Sequence, residues 1–253
     1  MPYPAHVSDA AYCYDGSYAG FLCCIFESYT RREIPSAVLG PAEGQITLFG
    51  TETIATDPTH ARRVANGLTR LGPMVRERVM TGFLSTEEEK DLILLRFARR
   101  CFDEGPRAVQ MLGDPDVHAA FVLERNVNNE VCRFIEFIRF EEKDGMLGSV
   151  IHPKNNVLPL LRWHFCSRLP DEDFLIFDAA HGTALLRQSG HVQYLAMEHY
   201  EPARDADELN WQALWKRFFH ALTIEERRNA KAQMSHAPKR FWGGMVEMRE
   251  PYI

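Results

Sequence analysis

Between Lys216 and Arg240 lie seven cations (Lys216, Arg217, Arg227, Arg228, Lys231, Lys239 and Arg240) and two carboxylates, Glu225 and Glu226. The segment carries +5 on a chain whose formal net charge is −6, so the remainder carries −11. It holds the amides Asn229 and Gln233, is punctuated by Pro238, and closes on Phe241-Trp242. Local positive potential beside rings and amides suits a phosphate-bearing partner. Cations neutralise phosphates, rings stack on bases, and amides bond base edges or backbone groups. The same cations on the outer face of an amphipathic helix would be ordinary solvated surface. If 224–233 is one helix, Glu225, Asn229 and Gln233 recur every four residues and share a face, while Arg227 points elsewhere. Phe241-Trp242 either stacks on a base or pins the C-terminal tail to the core.

Other residues offer chemistry more weakly. Asp178 and His181 could form a catalytic pair, but the spacing favours an Asp that stabilises a turn. Glu225 and Glu226 are adjacent, and adjacent helical positions do not face each other. Their expected partners are Arg228 and Asn229, with compensation of the helix dipole if Thr223 caps that helix. Glu136, Glu141, Glu142 and Asp144 surround a predicted hairpin and are read as keeping its edge soluble. The six cysteines, Cys13, Cys23, Cys24, Cys101, Cys132 and Cys166, contain no C-x-x-C and are expected as free thiols. Neither their spacing nor His164-Phe165-Cys166 suits zinc or an iron–sulfur cluster, so no metal or cofactor is expected. Phosphate-cradling glycine loops and the G-x-S-x-G elbow are absent from the sequence.

The elements that must position these groups follow from punctuation and periodicity. Tyr12–Ser17 reads as a strand into a turn at Asp15-Gly16, and Ser17 caps a helix over 18–31 with Phe21, Leu22, Ile25, Phe26 and Tyr29 on one face. A short extended piece covers 45–49. Asp57-Pro58 opens a helix that Gly72-Pro73 stops, and a second helix spans about 74–84. Ser85 with Glu88 is a capping box for a third, which Gly105-Pro106 ends. Asp114-Pro115 opens a long helix to about Val131. Phe134–Phe140 then reads as a strand in a hairpin with 146–152 across Lys143-Asp144-Gly145. A helix spans Val157–Leu169, and strands follow over 174–177, 183–187 and 192–197, with turns at His181-Gly182 and Ser189-Gly190. An acidic linker covers 200–208. Leu209–Leu222 is an amphipathic helix whose face of Trp211, Leu214, Trp215, Phe218 and Leu222 is expected in the core. The class is α+β: a helical N-terminal half, then an antiparallel sheet of about five strands with an inserted helix, then C-terminal helices. One domain over 1–253 is expected, divisible into a mainly helical 12–131 and a sheet plus basic helices over 132–242.

Composition is that of an ordinary globular protein, with 45% hydrophobic and 25% charged residues. The acidic balance excludes a globally basic nucleic-acid coat, so any such contact must be local. No apolar run approaches the ~20 residues of a membrane span. Met1-Pro2-Tyr3-Pro4-Ala5-His6 lacks the basic and apolar regions of a signal peptide, which gives a cytoplasmic expectation.

Taken together, Ile224–Asn229, Gln233 and Pro238–Trp242 resemble the signature of the bacterial family described as "probable DNA metabolism protein". The likeness extends to Tyr14-Asp15-Gly16-Ser17, Gly20-Phe21-Leu22 and Tyr29. It continues through Asn156–Leu161, His164-Phe165, Arg168-Leu169-Pro170 and Leu209 with Trp211–Phe219, and so covers about 12–242. The resemblance implies relatives fused to uracil-DNA glycosylases, or found beside a radical-SAM protein of DNA modification or repair. This chain has neither the glycosylase motifs nor C-x-x-x-C-x-x-C, so excision or radical chemistry would belong to a partner. The expected function is a DNA-binding accessory of repair, using Lys216, Arg217, Arg227, Arg228, Asn229, Gln233, Lys239, Arg240 and Trp242. Two alternatives stay open: a DNA-processing enzyme using Asp15, Asp178 or Glu225, and an adaptor whose basic strip meets the radical-SAM protein.

Overall fold

Apolar residues at helical spacing fill the first half of the chain, and most of that half folds as helix around them. The computed structural model describes residues 6–41, 50–143, 145–201, 206–227 and 229–248. The chain divides into two units, Met1–Asn128 and Asn129–Ile253.

The first unit contains short strands β1 (His6–Val7), β2 (Ala11–Cys13), β3 (Glu33–Ile34), β4 (Ala37–Leu39) and β5 (Thr51–Thr53). Strand β2 lies between β4 and β5, parallel to both, and β1 pairs with β3. Its helices are α1 (Tyr18–Thr30), α2 (Pro58–Leu71), α3 (Pro73–Phe83), α4 (Lys90–Glu104) and the start of α5 (Pro115–Phe137). Local chemistry starts α1 and α2 where the sequence predicts. Ser17 Oγ accepts from Gly20 N at 2.9 Å, and Asp57 Oδ1 accepts from Thr59 N and His60 N at 2.6 and 3.1 Å. Phe21, Ile25, Leu68, Leu94, Leu95 and Phe97 form the innermost core. Helix α4 corrects one expectation. It begins at Lys90 without a side-chain cap, and Ser85 Oγ instead accepts from Glu87 N in the preceding turn. The strand expected over 45–49 lies outside the described residues.

Helix α5 corrects a second. Phe134–Phe140 was expected as a strand, but the helix continues to Phe137. The helical path puts Phe134 inside, 7% exposed, with its ring edge-on to Phe241 at 5.0 Å. Burial on a helical face outweighs the β-propensity of the run. The partnering strand, β6, is only Glu141–Lys143.

The second unit is built on five strands in the order β10-β9-β8-β7-β6. They are β6, β7 (Met146–Ile151), β8 (Asp173–Asp178), β9 (Thr183–Gln188) and β10 (His191–Ala196). All neighbours are antiparallel except β7 and β8, which α6 (Leu158–Arg168) joins as a crossover. The fold is therefore α+β, as expected, with one βαβ step in a sheet expected to be wholly antiparallel. The predicted turns form at Gly145, Gly182 and Ser189-Gly190, and the last pair takes positive φ at both residues (48° and 78°). Leu158, Leu161 and Phe165 bury α6, and Phe165 meets Phe140 at 5.3 Å between ring centres. Helix α7 (Ala206–Leu222) and α8 (Ala230–His236) follow, with short 3₁₀ segments at Glu225–Arg227, Lys239–Gly244 and Val246–Met248.

Candidate nucleic-acid interface

The basic segment is not one helix. Asn229 adopts extended backbone (φ −136°, ψ 93°) and its side chain accepts from Ala232 N at 3.0 Å, capping α8. Its side-chain oxygen competes with helix continuation at this point. Glu225, Asn229 and Gln233 therefore do not share a helical face. Thr223 does not cap either; its hydroxyl donates back to Phe219 O at 2.7 Å.

Tertiary structure nevertheless gathers part of the expected set. Arg227, Asn229 and Gln233 line one groove of about 530 Å³ with Phe219 and His220. Gln233 Nε2 donates to Met248 Sδ at 3.5 Å, tying α8 to the C-terminal turn. Arg217, Arg227, Lys231 and Lys239 are exposed, and Lys216 is half-buried. Arg228 lies outside the described residues.

Arg240 has a different setting. Its Nη1 is 3.0 Å from Glu130 Oε1, and its Cζ lies 4.7 Å from the centre of the Phe241 ring. The Arg240 side chain stays half exposed (51%), whereas that of Glu130 is at 1%. Glu130 also accepts from Lys154 N, Asn155 N and Asn155 Nδ2 at 2.9, 2.8 and 2.7 Å. Nothing in the spacing of the sequence marks Glu130 as the acceptor for two distant chain segments. Phe241 is 4% exposed between Phe134 and Phe137, so it pins the tail. Trp242 Nε1 donates to Ala237 O at 2.8 Å, and Lys239 Nζ lies 5.7 Å from its ring.

Helix α7 overturns the expectation of a buried aromatic face. Trp211, Trp215 and Phe218 are 65%, 44% and 54% exposed. The side turned inward is polar: Glu208 is buried, ion-paired with Arg139, and accepts from Gln212 Nε2 at 2.7 Å. Periodicity finds the two faces of a helix but not which one meets the fold. A carboxylate held by an arginine and an amide fixes this helix with its rings outward. Those rings, with Phe140 and Leu147, line a second groove of about 530 Å³. Trp215 Nε1 donates to Glu247 Oε2 at 2.8 Å, so its ring is held in place.

The carboxylates considered for catalysis have architectural partners. Asp15 accepts from Ser17 N, Ser17 Oγ and Thr56 Oγ1. These bonds hold its carboxyl below its ordinary value. Asp178, 1% exposed, accepts from Ala180 N and His181 N and pairs with His181 Nδ1 at 2.7 Å, closing the β8–β9 turn. Burial pushes its carboxyl up. The Glu225 side chain lies outside the description. Glu141 is a correction: rather than solubilising an edge, it is buried, 5% exposed.

Among the described residues no helix is long and apolar enough to cross a membrane. No curated protein and no solved structure matches the chain. A family model matches residues 88–247, from just before α4 to the last turn, taking in α7 and the whole basic segment. The chain thus belongs to the family described as a domain of unknown function, DUF4130.

Proposed function

We propose that this protein is a DNA-binding accessory of DNA repair or modification that works with a uracil-DNA-glycosylase-like or radical-SAM partner. The observation that carries the reading is the outward aromatic face of α7 beside exposed cations. Trp211, Trp215 and Phe218 stand in solvent, Arg217 is exposed on the same helix, and Arg227 lines a groove shared with Phe219. Rings that stack on bases, next to cations that meet phosphates, make a platform for single-stranded nucleic acid. The platform sits on an acidic chain, so contact with a polyanion must be local. The partner class rests on the family resemblance alone. Architectural partners for Asp15 and Asp178 favour an accessory over an enzyme acting through these carboxylates.

The test is a salt titration of oligonucleotide binding by the full chain. Log affinity should fall with log salt by roughly 0.7 per phosphate neutralised on single strands. Trp211→Ala should weaken binding by about 1–3 kcal/mol, the worth of a stacked base. The folded protein should keep its stability within about 0.5 kcal/mol, as exposed side chains do. Binding that is flat with salt, or indifferent to Trp211→Ala and Arg227→Ala together, refutes the reading. A second reading has its own support: Leu209, Leu214 and Leu222 are also exposed on α7, an apolar surface that suits a protein partner. Co-purification with a radical-SAM partner from nuclease-treated lysate, without affinity for DNA, would select that adaptor.

A further inference from the structure

A cavity of about 260 Å³ lies in the second unit, where the chain leaving α5 diverges from β7. One wall is an incomplete sheet edge. β6 pairs only with Met146, Leu147 and Gly148, and among the described residues no strand continues that pairing along 149–151. Ile151 O accepts from Ala179 N on the β8 side. Alternation along a strand then turns the peptide N–H and C=O of Val150 to the opposite side, where Val150 lines the cavity. A second wall is Tyr200. Its hydroxyl comes so close to Gly148 that a Cβ there would lie 1.9 Å from it. Glu141, the cross-strand partner of Gly148, lines the same cavity. The Tyr200 hydroxyl, like any phenol, is a donor at neutral pH, and burial, then the Glu141 charge, raise its pKa further. Phe241 supplies an aromatic wall beneath the Arg240 guanidinium.

We propose that this cavity receives one planar nitrogen heterocycle, a nucleobase turned out of its strand, with a preference for bases that carry an amino group. The proposal rests on the DNA reading above and names what the site would take. Three features select the ligand. The volume falls below the roughly 300–1,000 Å³ of drug-sized pockets, so it suits one base rather than a dinucleotide. The two arginines of the wall already face carboxylates, Arg139 with Glu208 and Arg240 with Glu130, so the cavity is not prepared for phosphate or carboxylate. The Val150 peptide N–H beside its C=O, turned to this side of the strand, matches the adjacent acceptor and donor of a base edge, and a carboxylate accepts from an exocyclic amino group. Phosphates would stay outside, on the exposed cations.

The experiment titrates the full chain with cytidine, adenosine, guanosine and thymidine by calorimetry. In parallel it measures salt-dependent binding of a single-stranded oligonucleotide. The amino-bearing nucleosides should bind and thymidine should bind more weakly. Glu141→Gln replaces a charge-assisted acceptor with a neutral amide, so it should cost those nucleosides about tenfold and narrow the gap to thymidine. Gly148→Ala, which displaces Tyr200, should abolish nucleoside binding. Circular dichroism identifies folded variants, and Glu141→Gln alone decides if Gly148→Ala does not fold. If the oligonucleotide binds with the expected salt slope but no nucleoside binds, or Glu141→Gln leaves nucleoside affinities unchanged, the cavity proposal falls and the DNA reading stands. If nucleosides bind with the expected preference and the oligonucleotide does not, the cavity is a site for a free nucleoside, and both the DNA reading and the origin of the base in a strand fall.

Discussion

Glu130 gathers two distant segments onto one buried carboxylate, and its removal should be among the most costly single changes in the second unit. Glu130→Ala leaves Lys154 N–H, Asn155 N–H, the Asn155 amide and the Arg240 guanidinium without their acceptor. Each buried donor left unpaired costs about 1–3 kcal/mol. Asn155 is 5% exposed, so two of the four cannot turn to water in place. Lys154 and Arg240 recover part of their loss from solvent. The expected cost is about 3–5 kcal/mol, the range for breaking a buried pair from one side. Glu130→Gln keeps the shape and one acceptor oxygen but points an NH₂ at donors, and should cost about 2 kcal/mol. Arg240→Ala removes one donor of four from a half-exposed site and should cost about 1 kcal/mol or less. The assay is urea denaturation followed by tryptophan fluorescence. All four tryptophans, Trp163, Trp211, Trp215 and Trp242, belong to the second unit, so the signal reports on it. A Glu130→Ala cost under 1 kcal/mol, or an Arg240→Ala cost equal to it, would refute the reasoning. The same geometry ranks the cations for DNA: Arg240→Ala should lower the salt slope less than Arg227→Ala, because Arg240 already faces a carboxylate.

Two further outcomes concern the first unit and the thiols. Asp91 is buried with Tyr14 Oη donating to it at 2.8 Å, and burial raises its carboxyl above the ordinary value. The folded protein therefore holds this proton over a range in which the unfolded chain has lost it. That stability is fully present below the unfolded value and is lost as pH rises through the folded one. Asp91→Asn should flatten the pH dependence of stability across that acidic range, and an unchanged slope in urea titrations at several pH values would count against it. Cys132 is exposed, while Cys23, Cys24 and Cys101 are at 1% exposure or less. Burial pushes the Cys101 thiol up to about 12 and that of Cys24 higher still. A thiol reagent followed by peptide mass spectrometry should label Cys132 well before these three, which should react only on unfolding. Equal rates would mean the first-unit core is open.

The sequence by itself determined whatever depends on a few neighbouring residues. Ser17 and Asp57 cap their helices because a short oxygen can reach the free amides of a first turn. Gly72 and Gly105 stop theirs at positive φ, and Ser189-Gly190 turns a hairpin for the same backbone reason. Cations clustered around Pro238 could be read as a basic segment with no structure at all. Tertiary structure alone decided how far α5 runs, because the helical path buries Phe134 against Phe241, far along the chain. It decided that α7 turns its rings outward, because Glu208 finds Arg139 across the unit. It also separated cations of equal charge: Arg227 faces solvent, and Arg240 faces Glu130, 110 positions earlier in the chain. Caps and turns are settled within a few residues, whereas the facing of a helix and the pairing of a charge depend on partners that only folding brings near.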